Sequence, residues 1–398
     1  MDRRELWLWL VTLPRIFSPK ITPLIERFGS VEAIYHAGEQ ELRGINGIGE
    51  AELASLINKD LSKAKKVMEQ IETLGAHILC FDDADYPEML RHLYDPPYVL
   101  YVLGERLDWS AMLPISVVGA RESTEYGRAA ADEICYELAQ NGVTIVSGMA
   151  RGIDSVAHRS ALRAGAKTIA FLGCGIDIVY PPENDELMRA IAQNGAVMTE
   201  FAPGTPPYGK NFPVRNRLIA AFSRGVLVVE AKRRSGTAST AHWALENGKD
   251  VFAVPGDVTR ENSKGCHHLI KAGGAKLTEC AQDILEEYGY ELGRIDAPET
   301  GAPVYVETNV RPSGKKTRLN TAEERPARPK PEIDDERFSH LDEGQKKIIA
   351  LLIERDAHVD EICRSASLTA SEAGAALTLM ELEGLVAALA GKIYTLNV

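Results

Sequence analysis

Between residues 112 and 290 short apolar runs recur, at 115–118, 143–146, 168–172, 225–229 and 251–254, and most are followed by a glycine-containing turn and a helical stretch. Strands that are apolar on both faces need cover on both faces, and a strand that leaves through a helix returns parallel to its predecessor. The rhythm therefore predicts an α/β protein with a Rossmann-like parallel sheet core. Few other architectures accommodate it.

The flanking regions read differently. Residues 1–78 show helical patterns at 31–42 and 51–74 and no strand-like stretch, which predicts a small helical domain of the SAM or helix-hairpin-helix kind. Its apolar run from Leu6 to Leu13 is too short to cross a bilayer and lacks a small-residue cleavage site, so it is expected to be a buried helix with no membrane insertion. Residues 79–111, with Tyr86-Pro87 and Pro96-Pro97, read as a connector packed on the edge of the core domain, which then spans 79–290. Residues 291–339 are rich in Pro, Thr, Glu, Lys and Arg and predict a flexible linker. In 340–398, helical patterns at 344–354, 359–366 and 370–383 precede a hairpin at 385–396 turning at Gly391-Lys392, the outline of a winged-helix domain.

Charge narrows the partners. The 398-residue chain has 45 Lys+Arg and 57 Asp+Glu, net −12, which argues against a surface that coats nucleic acid as a whole. Over 112–290 the counts are 19 and 20, so that region is at −1 and the rest of the chain holds the other −11. A basic groove belongs in the central domain if anywhere. The six cysteines are scattered without a C-x-x-C pair, which points to a reducing cytoplasm, and Cys266-His267-His268 is adjacent in sequence and ill-placed to converge on one metal. No cofactor is called for.

The loops after the strands hold the densest motifs. Val118-Gly119-Ala120-Arg121-Glu122-Ser123 ends the first strand, Ser147-Gly148 opens the turn after the second, and Gly173-Cys174-Gly175 follows the third. Open α/β sheets bind ligands at such strand ends, although the glycines alone would serve equally as tight turns. No G-x-x-x-x-G-K-[ST] occurs, which argues against ATP hydrolysis of P-loop type. Lys210, Phe212, Arg215, Asn216 and Arg217 then gather three cations, an amide and an aromatic ring, groups suited to the phosphates and unstacked bases of a single strand, or else to a helix start with solvated arginines and a core Phe. A hairpin turn at Ile45-Asn46-Gly47-Ile48-Gly49 allows phosphate contact or a plain helix joint, and the following Glu50 and Glu52 favour the joint.

Seven ordered motifs between Tyr86 and Ala275 resemble the DNA-processing protein A (DprA/Smf) family: Val118-Gly-Ala-Arg121-x-Ser123, Ser147-Gly-x-Ala150-x-Gly152-Ile-Asp154, Gly173-x-Gly175 through Asn184, Phe212-Pro-x-Arg215-Asn-Arg217, Val229-Glu230-Ala231, Ser235-Gly236 and Val254-Pro255-Gly256. His267 stands where the family has Asn, and Thr199-Glu200 where it has Ser-Glu. The resemblance implies a protein that binds and protects single-stranded DNA and loads a RecA-type recombinase in natural transformation, as a homodimer through the Rossmann-like domain. It implies a DNA groove lined by Arg121, Lys210, Phe212, Arg215, Asn216 and Arg217, with Gly119, Ser123, Ser147, Gly148, Ser235 and Gly236 supplying phosphate contacts.

Two other readings compete. A nucleoside-monophosphate phosphoribohydrolase needs a Glu where Thr240 stands, although His158, Glu200 and Glu230 remain as titratable groups near strand ends. A winged-helix transcription regulator needs a basic tail, whereas 341–398 has nine acidic and five basic residues, a balance better suited to a protein-binding or autoregulatory module. Truncation at Ser339 should therefore leave single-stranded DNA binding intact or tighter in a gel-shift assay. A folded truncation that loses most of its affinity would assign the DNA to the tail.

Overall fold

The computed structural model describes residues 2–292, 303–306, 338, 341–354, 357–366, 368–382, 385–389 and 393–396. The chain divides into two units, Met1–Arg311 and Pro312–Val398. The first opens with six helices, α1 (Arg3–Thr12), α2 (Ser18–Phe28), α3 (Val31–His36), α4 (Glu39–Leu42), α5 (Glu50–Ile57) and α6 (Ser62–Thr73). In α1 every residue from Leu6 to Leu10 is buried, because a helix that is apolar all round can be stable only when enclosed. The two tryptophans in it keep their N–H groups paired, Trp7 with Asp82 at 2.8 Å and Trp9 with the Asn58 carbonyl at 2.8 Å.

Both long helical patterns are broken. Residues 51–74 divide between α5 and α6 because the Asn58 and Asp60 side chains accept the backbone N–H groups of Asp60 and Ser62, a local alternative to helix. At the hairpin of residues 45–49, Gly47 takes φ 81° and the Gly49 N–H donates to Glu52 at 3.1 Å. Arg43 pairs with Glu50 at 2.6 Å and Lys20 with Glu52, so the hairpin's amide and nearby cations find anions within the chain, as a helix joint requires.

The remaining elements of this unit are β1 (His77–Cys80), α7 (Glu88–Arg91), β2 (Val99–Gly104), β3 (Leu113–Gly119), α8 (Glu125–Gln140), β4 (Val143–Ser147), α9 (Ile153–Arg163), β5 (Thr168–Phe171), α10 (Asp185–Gln193), β6 (Gly195–Thr199), α11 (Asn211–Phe222), β7 (Gly225–Val229), α12 (Gly236–Glu246), β8 (Asp250–Ala253), α13 (Lys264–Lys271), β9 (Lys276–Leu277) and α14 (Gln282–Leu292). They form one nine-stranded sheet in the order β1-β2-β6-β5-β4-β3-β7-β8-β9, parallel from β6 to β9. All five expected strands are present. The sequence pattern missed β6, whose apolar core Ala196–Met198 is short, the two-residue β9, and two antiparallel strands, β2 in the connector, which pairs with β6, and β1, which pairs with β2 and begins at His77 in the region read as helical.

Alternating side chains feed two layers. Ile115, Val117, Ile145 and Leu227 pack under α8, α9 and α14, while Val118, Val146, Val226 and Val228 pack under α11 and α12. The N-terminal helices share a third apolar cluster with Tyr101, Leu172 and Val197, so they and the sheet have a common core. Beyond α14, Val304 and Val306 pack on this cluster and the Val304 N–H donates to the Leu162 carbonyl at 3.0 Å, while Tyr305 points to solvent. The rest of the expected linker, from 293 to 339, lies outside the described residues except for Phe338.

The chain leaves β3 toward β4, β5 and β6, then crosses back to add β7, β8 and β9 on the other side of β3. Such a reversal opens a crevice at the strand C-termini between β3 and β7. Gly119, the last residue of β3, is there for lack of space: a Cβ would lie 2.0 Å from the Val229 carbonyl oxygen and 2.5 Å from the Ile153 side chain.

The second unit contains α15 (Glu343–Glu354), β10 (Ala357–His358), α16 (Val359–Ala366), α17 (Ala370–Leu382), β11 (Val386–Leu389) and β12 (Ile393–Leu396). Three helices and an antiparallel sheet in the order β10-β12-β11 enclose Ile348, Ile349, Ile362, Leu377 and Met380, which is the expected winged helix. The expected turn at 391–392 lies outside the described residues. Among the described residues no helix is long and apolar enough to cross a membrane.

One buried group in α9 makes stability depend on pH. The Thr168 hydroxyl donates to the Ile145 carbonyl at 2.7 Å, so it accepts from His158 Nδ1 at 2.7 Å and leaves Nε2 without a proton or a partner. Burial holds this ring's pKa down at about 3, against about 6.5 for a free histidine. The unfolded chain binds the proton first, so the stabilisation is complete above about pH 6.5 and is lost as pH falls toward the folded value. Urea unfolding between pH 6.5 and 5 should show a decline of up to about 1.4 kcal/mol per pH unit that His158→Gln removes. An equal decline in both proteins would assign the proton elsewhere.

Candidate nucleic-acid interface

A cavity of about 600 Å³ occupies the crevice, floored by Val118 and Gly119 of β3 and bounded by the N-terminal ends of α11 and α12. α11 contributes Phe212, Arg215, Asn216 and Ile219, spaced i, i+3, i+4 and i+7 and hence on one helix face. Arg217, two residues beyond Arg215, is rotated about 200° around the helix and points away.

These positions have distinct roles. The Arg215 guanidinium is buried and donates to the Gly148 carbonyl at 2.8 Å and to the Phe171 carbonyl, with its Nε 3.2 Å from the Asn216 side-chain oxygen. A Cβ on Gly148 would collide with this group at 2.3 Å, so the glycine makes room for the arginine. Burial lowers the Arg215 pKa to about 10, opposed by the buried Asp154 carboxylate, whose own pKa burial raises. Arg217, 2% exposed, pairs with Asp95 at 3.0 Å and Glu200 at 2.6 Å. The Ser147 hydroxyl is buried and donates to the Val117 carbonyl at 2.6 Å. Ser147, Gly148 and Arg217 therefore do not face the cavity: the first two hold the strand ends together and the third is an internal ion pair. The sequence pattern could not separate them from groove residues because it contains no side-chain direction.

Other expected residues do meet at the opening. Arg121 is exposed, with its guanidinium 5.2 Å from the centre of the half-buried Phe212 ring, and Tyr180 lies 5.3 Å from the same ring. The Asn216 amide donates to the Gly236 carbonyl at 3.2 Å, fixing the start of α12, where the Ser235 hydroxyl accepts from the Ala238 N–H at 3.3 Å. Gly236 is exposed at this helix end, and exposed Lys210 stands just before α11. Ser123 is half-buried and gives its carbonyl to Arg128 at 2.6 Å.

Sequence reasoning missed Lys232, Arg233 and Arg234. All three are exposed in the loop from β7 into α12, and none has an ion pair with a described residue. Arg121 and Lys232 line the cavity, and Lys210, Arg233 and Arg234 are exposed next to its lining residues Gly209, Lys232 and Ser235, five exposed cations in a chain whose net charge is −12. Their signal was in the sequence, as three consecutive cations directly after Val229-Glu230-Ala231. Elsewhere Cys266 is buried with its Sγ 3.7 Å from the Val228 carbonyl, and His267 Nε2 lies 3.0 Å from the Gly256 carbonyl.

Comparison with known proteins identifies the family of both units. The family model for DNA recombination-mediator protein A matches residues 77–289, and that for the DprA winged helix domain matches 325–392. Protein Smf of Synechocystis sp. is 33% identical over 380 residues, 93% of each chain. The X-ray structure of DNA processing protein A from Streptococcus pneumoniae is similar with a TM-score of 0.64 at 34% identity, over 72% of this chain and 98% of that one. DNA processing protein A from Helicobacter pylori, a structure concerned with its single-stranded DNA binding mode, gives a TM-score of 0.50 at 30% identity, over 54% of this chain and 96% of that one.

The two arginines of differing burial should separate experimentally. Arg217→Ala leaves Asp95 and the half-buried Glu200 without their cation and should cost about 3–5 kcal/mol of stability in urea denaturation. Arg121→Ala, at an exposed position, should stay within about 0.5 kcal/mol of the parent. Equal losses would contradict the burial difference.

Proposed function

The chain belongs to the DNA recombination-mediator protein A family, and from that premise we propose that the crevice binds single-stranded DNA, protects it, and passes it to a RecA-type recombinase during natural transformation. The observation that carries this reading is the Arg121–Phe212–Tyr180 cluster, in which the Phe212 ring meets the Arg121 guanidinium and the Tyr180 ring, with four further exposed cations in the cavity lining or next to it in sequence. Unstacked bases bind to ring faces and guanidinium planes, and the phosphates between them bind to cations and helix N-termini. A duplex buries its base faces and cannot use the rings.

A binding role suits the titratable groups better than catalysis does. His158 is fully buried in α9, Glu200 is held by Arg217, and the Glu230 carboxylate accepts from Thr124, so none presents a free acid or base to the opening. A cytoplasmic location fits the free thiols, since Cys80, Cys135, Cys174, Cys266, Cys280 and Cys363 form no disulfide. The exposed Leu277 on the two-residue outer strand β9 supports a homodimer through the Rossmann-like domain.

Salt dependence and stacking test the groove separately. Arg121→Ala and Lys232→Ala should each flatten the slope of log affinity against log salt by about 0.7 for a single strand, one phosphate contact apiece. Phe212→Ala should cost roughly 1–3 kcal/mol of binding with the slope nearly unchanged. Parent-like affinity and slope in all three folded variants, measured on an oligonucleotide by fluorescence anisotropy, would reject the groove.

A further inference from the structure

Two long helices begin at the crevice, each capped by its own hydroxyl, Thr124 accepting from the Gly127 N–H at 3.1 Å and Ser235 from the Ala238 N–H at 3.3 Å, and they differ in the charge beside the cap. At α12, Gly236 is exposed, a Cβ there would meet nothing within 4 Å, and Lys232, Arg233 and Arg234 stand before it. At α8 the first turn is already occupied. One Glu230 carboxylate oxygen accepts from the Thr124 N–H at 2.8 Å and the other from the Thr124 hydroxyl at 2.5 Å. Gly127 makes room for it, since a Cβ at that position would lie 2.4 Å from the carboxylate carbon.

Several observations mark this carboxylate as built in. Glu230 is 5% exposed and adopts φ 56°, a left-handed conformation that residues with a Cβ avoid. It forms part of the wall of the 600 Å³ cavity and of a second cavity of about 750 Å³ bordered by Tyr126, Pro255 and Arg260. Its two oxygens sit on a backbone N–H and a hydroxyl at the start of the helix that follows the first parallel strand, at the point of reversal in the sheet. In open α/β folds that position takes the phosphate of a nucleotide.

We propose that Glu230 is an internal substitute for a phosphate, a specificity-determining residue that closes the α8 terminus to free nucleotides and leaves strand phosphates the cations before α12. A mononucleotide phosphate that approached α8 would meet a carboxylate already bound to the Thr124 N–H and hydroxyl, and the like charges would repel. The exclusion of free nucleotides stands on the Glu230 geometry alone, whereas the placement of strand phosphates rests on the single-strand reading above.

Glu230→Gly tests this, because glycine removes the carboxylate and accepts the positive φ. The probes are 5′-dAMP and inorganic phosphate, titrated by calorimetry and by amide chemical shifts, with a single-stranded oligonucleotide measured alongside. The parent should bind dAMP weakly, and the folded variant at least about tenfold more tightly, with shifts centred on Thr124–Gly127. Gain with inorganic phosphate as well locates the site at the helix terminus, while gain with dAMP alone and shifts elsewhere overturns the proposal. A folded Gly variant without gain overturns it too. Should that variant fail to fold, Glu230→Ala, which removes the carboxylate and its bulk, must show a gain, and its absence in the folded protein has the same force. Loss of oligonucleotide binding by the parent would refute the single-strand reading while leaving the nucleotide result to be judged by itself.

Discussion

The Arg215 guanidinium is the joint on which the crevice depends. It lies beneath the cavity and gives hydrogen bonds to the carbonyls of Gly148 and Phe171, groups that follow β4 and end β5 and have no further strand partner there. A buried cation is tolerable only where fixed acceptors replace water, and the strand ends supply them. In return the arginine fixes α11 against the sheet, and α11 holds Phe212 at the opening and Asn216 against the start of α12. Gly148 and Gly173 leave space for Arg215 and Phe212 respectively, since a Cβ on either would meet those side chains within 3 Å. The glycines of these loops are thus spaces for side chains from another element, as much as turns.

This framework reconciles an acidic protein with an anionic ligand. Buried cations are matched within the fold, Arg217 by Asp95 and Glu200, whereas Arg121, Lys210, Lys232, Arg233 and Arg234 stay exposed in the loops that follow β3, β6 and β7. A local excess of charge near a concave surface sets the field that a ligand meets, and the net charge of distant regions is screened beyond roughly 10 Å. Glu230 supplies the contrary element. A carboxylate held at one helix terminus and cations before the other give the crevice a direction.

The apolar periodicity determined the fold class, the five strands from β3 to β8 other than β6, and the three helices of the winged unit, because burial on both faces leaves a continuous signal in the residues themselves. The motifs at strand ends also located the crevice and named Arg121, Phe212 and Asn216. Tertiary structure decided the rest. β1 and β2 exist because β6 offers them an edge, which no local pattern records, and the apolar core of β6, three residues between Gly195 and Thr199, is too short to announce itself. Arg215 and Arg217 look alike in sequence, yet a rotation of about 200° sends one beneath the cavity and the other into an acidic pair. Sequence supplies composition at a site, but direction, burial and the partner of each charge are set by elements far apart in the chain, and those three quantities separate a residue that meets a ligand from one that holds the site together.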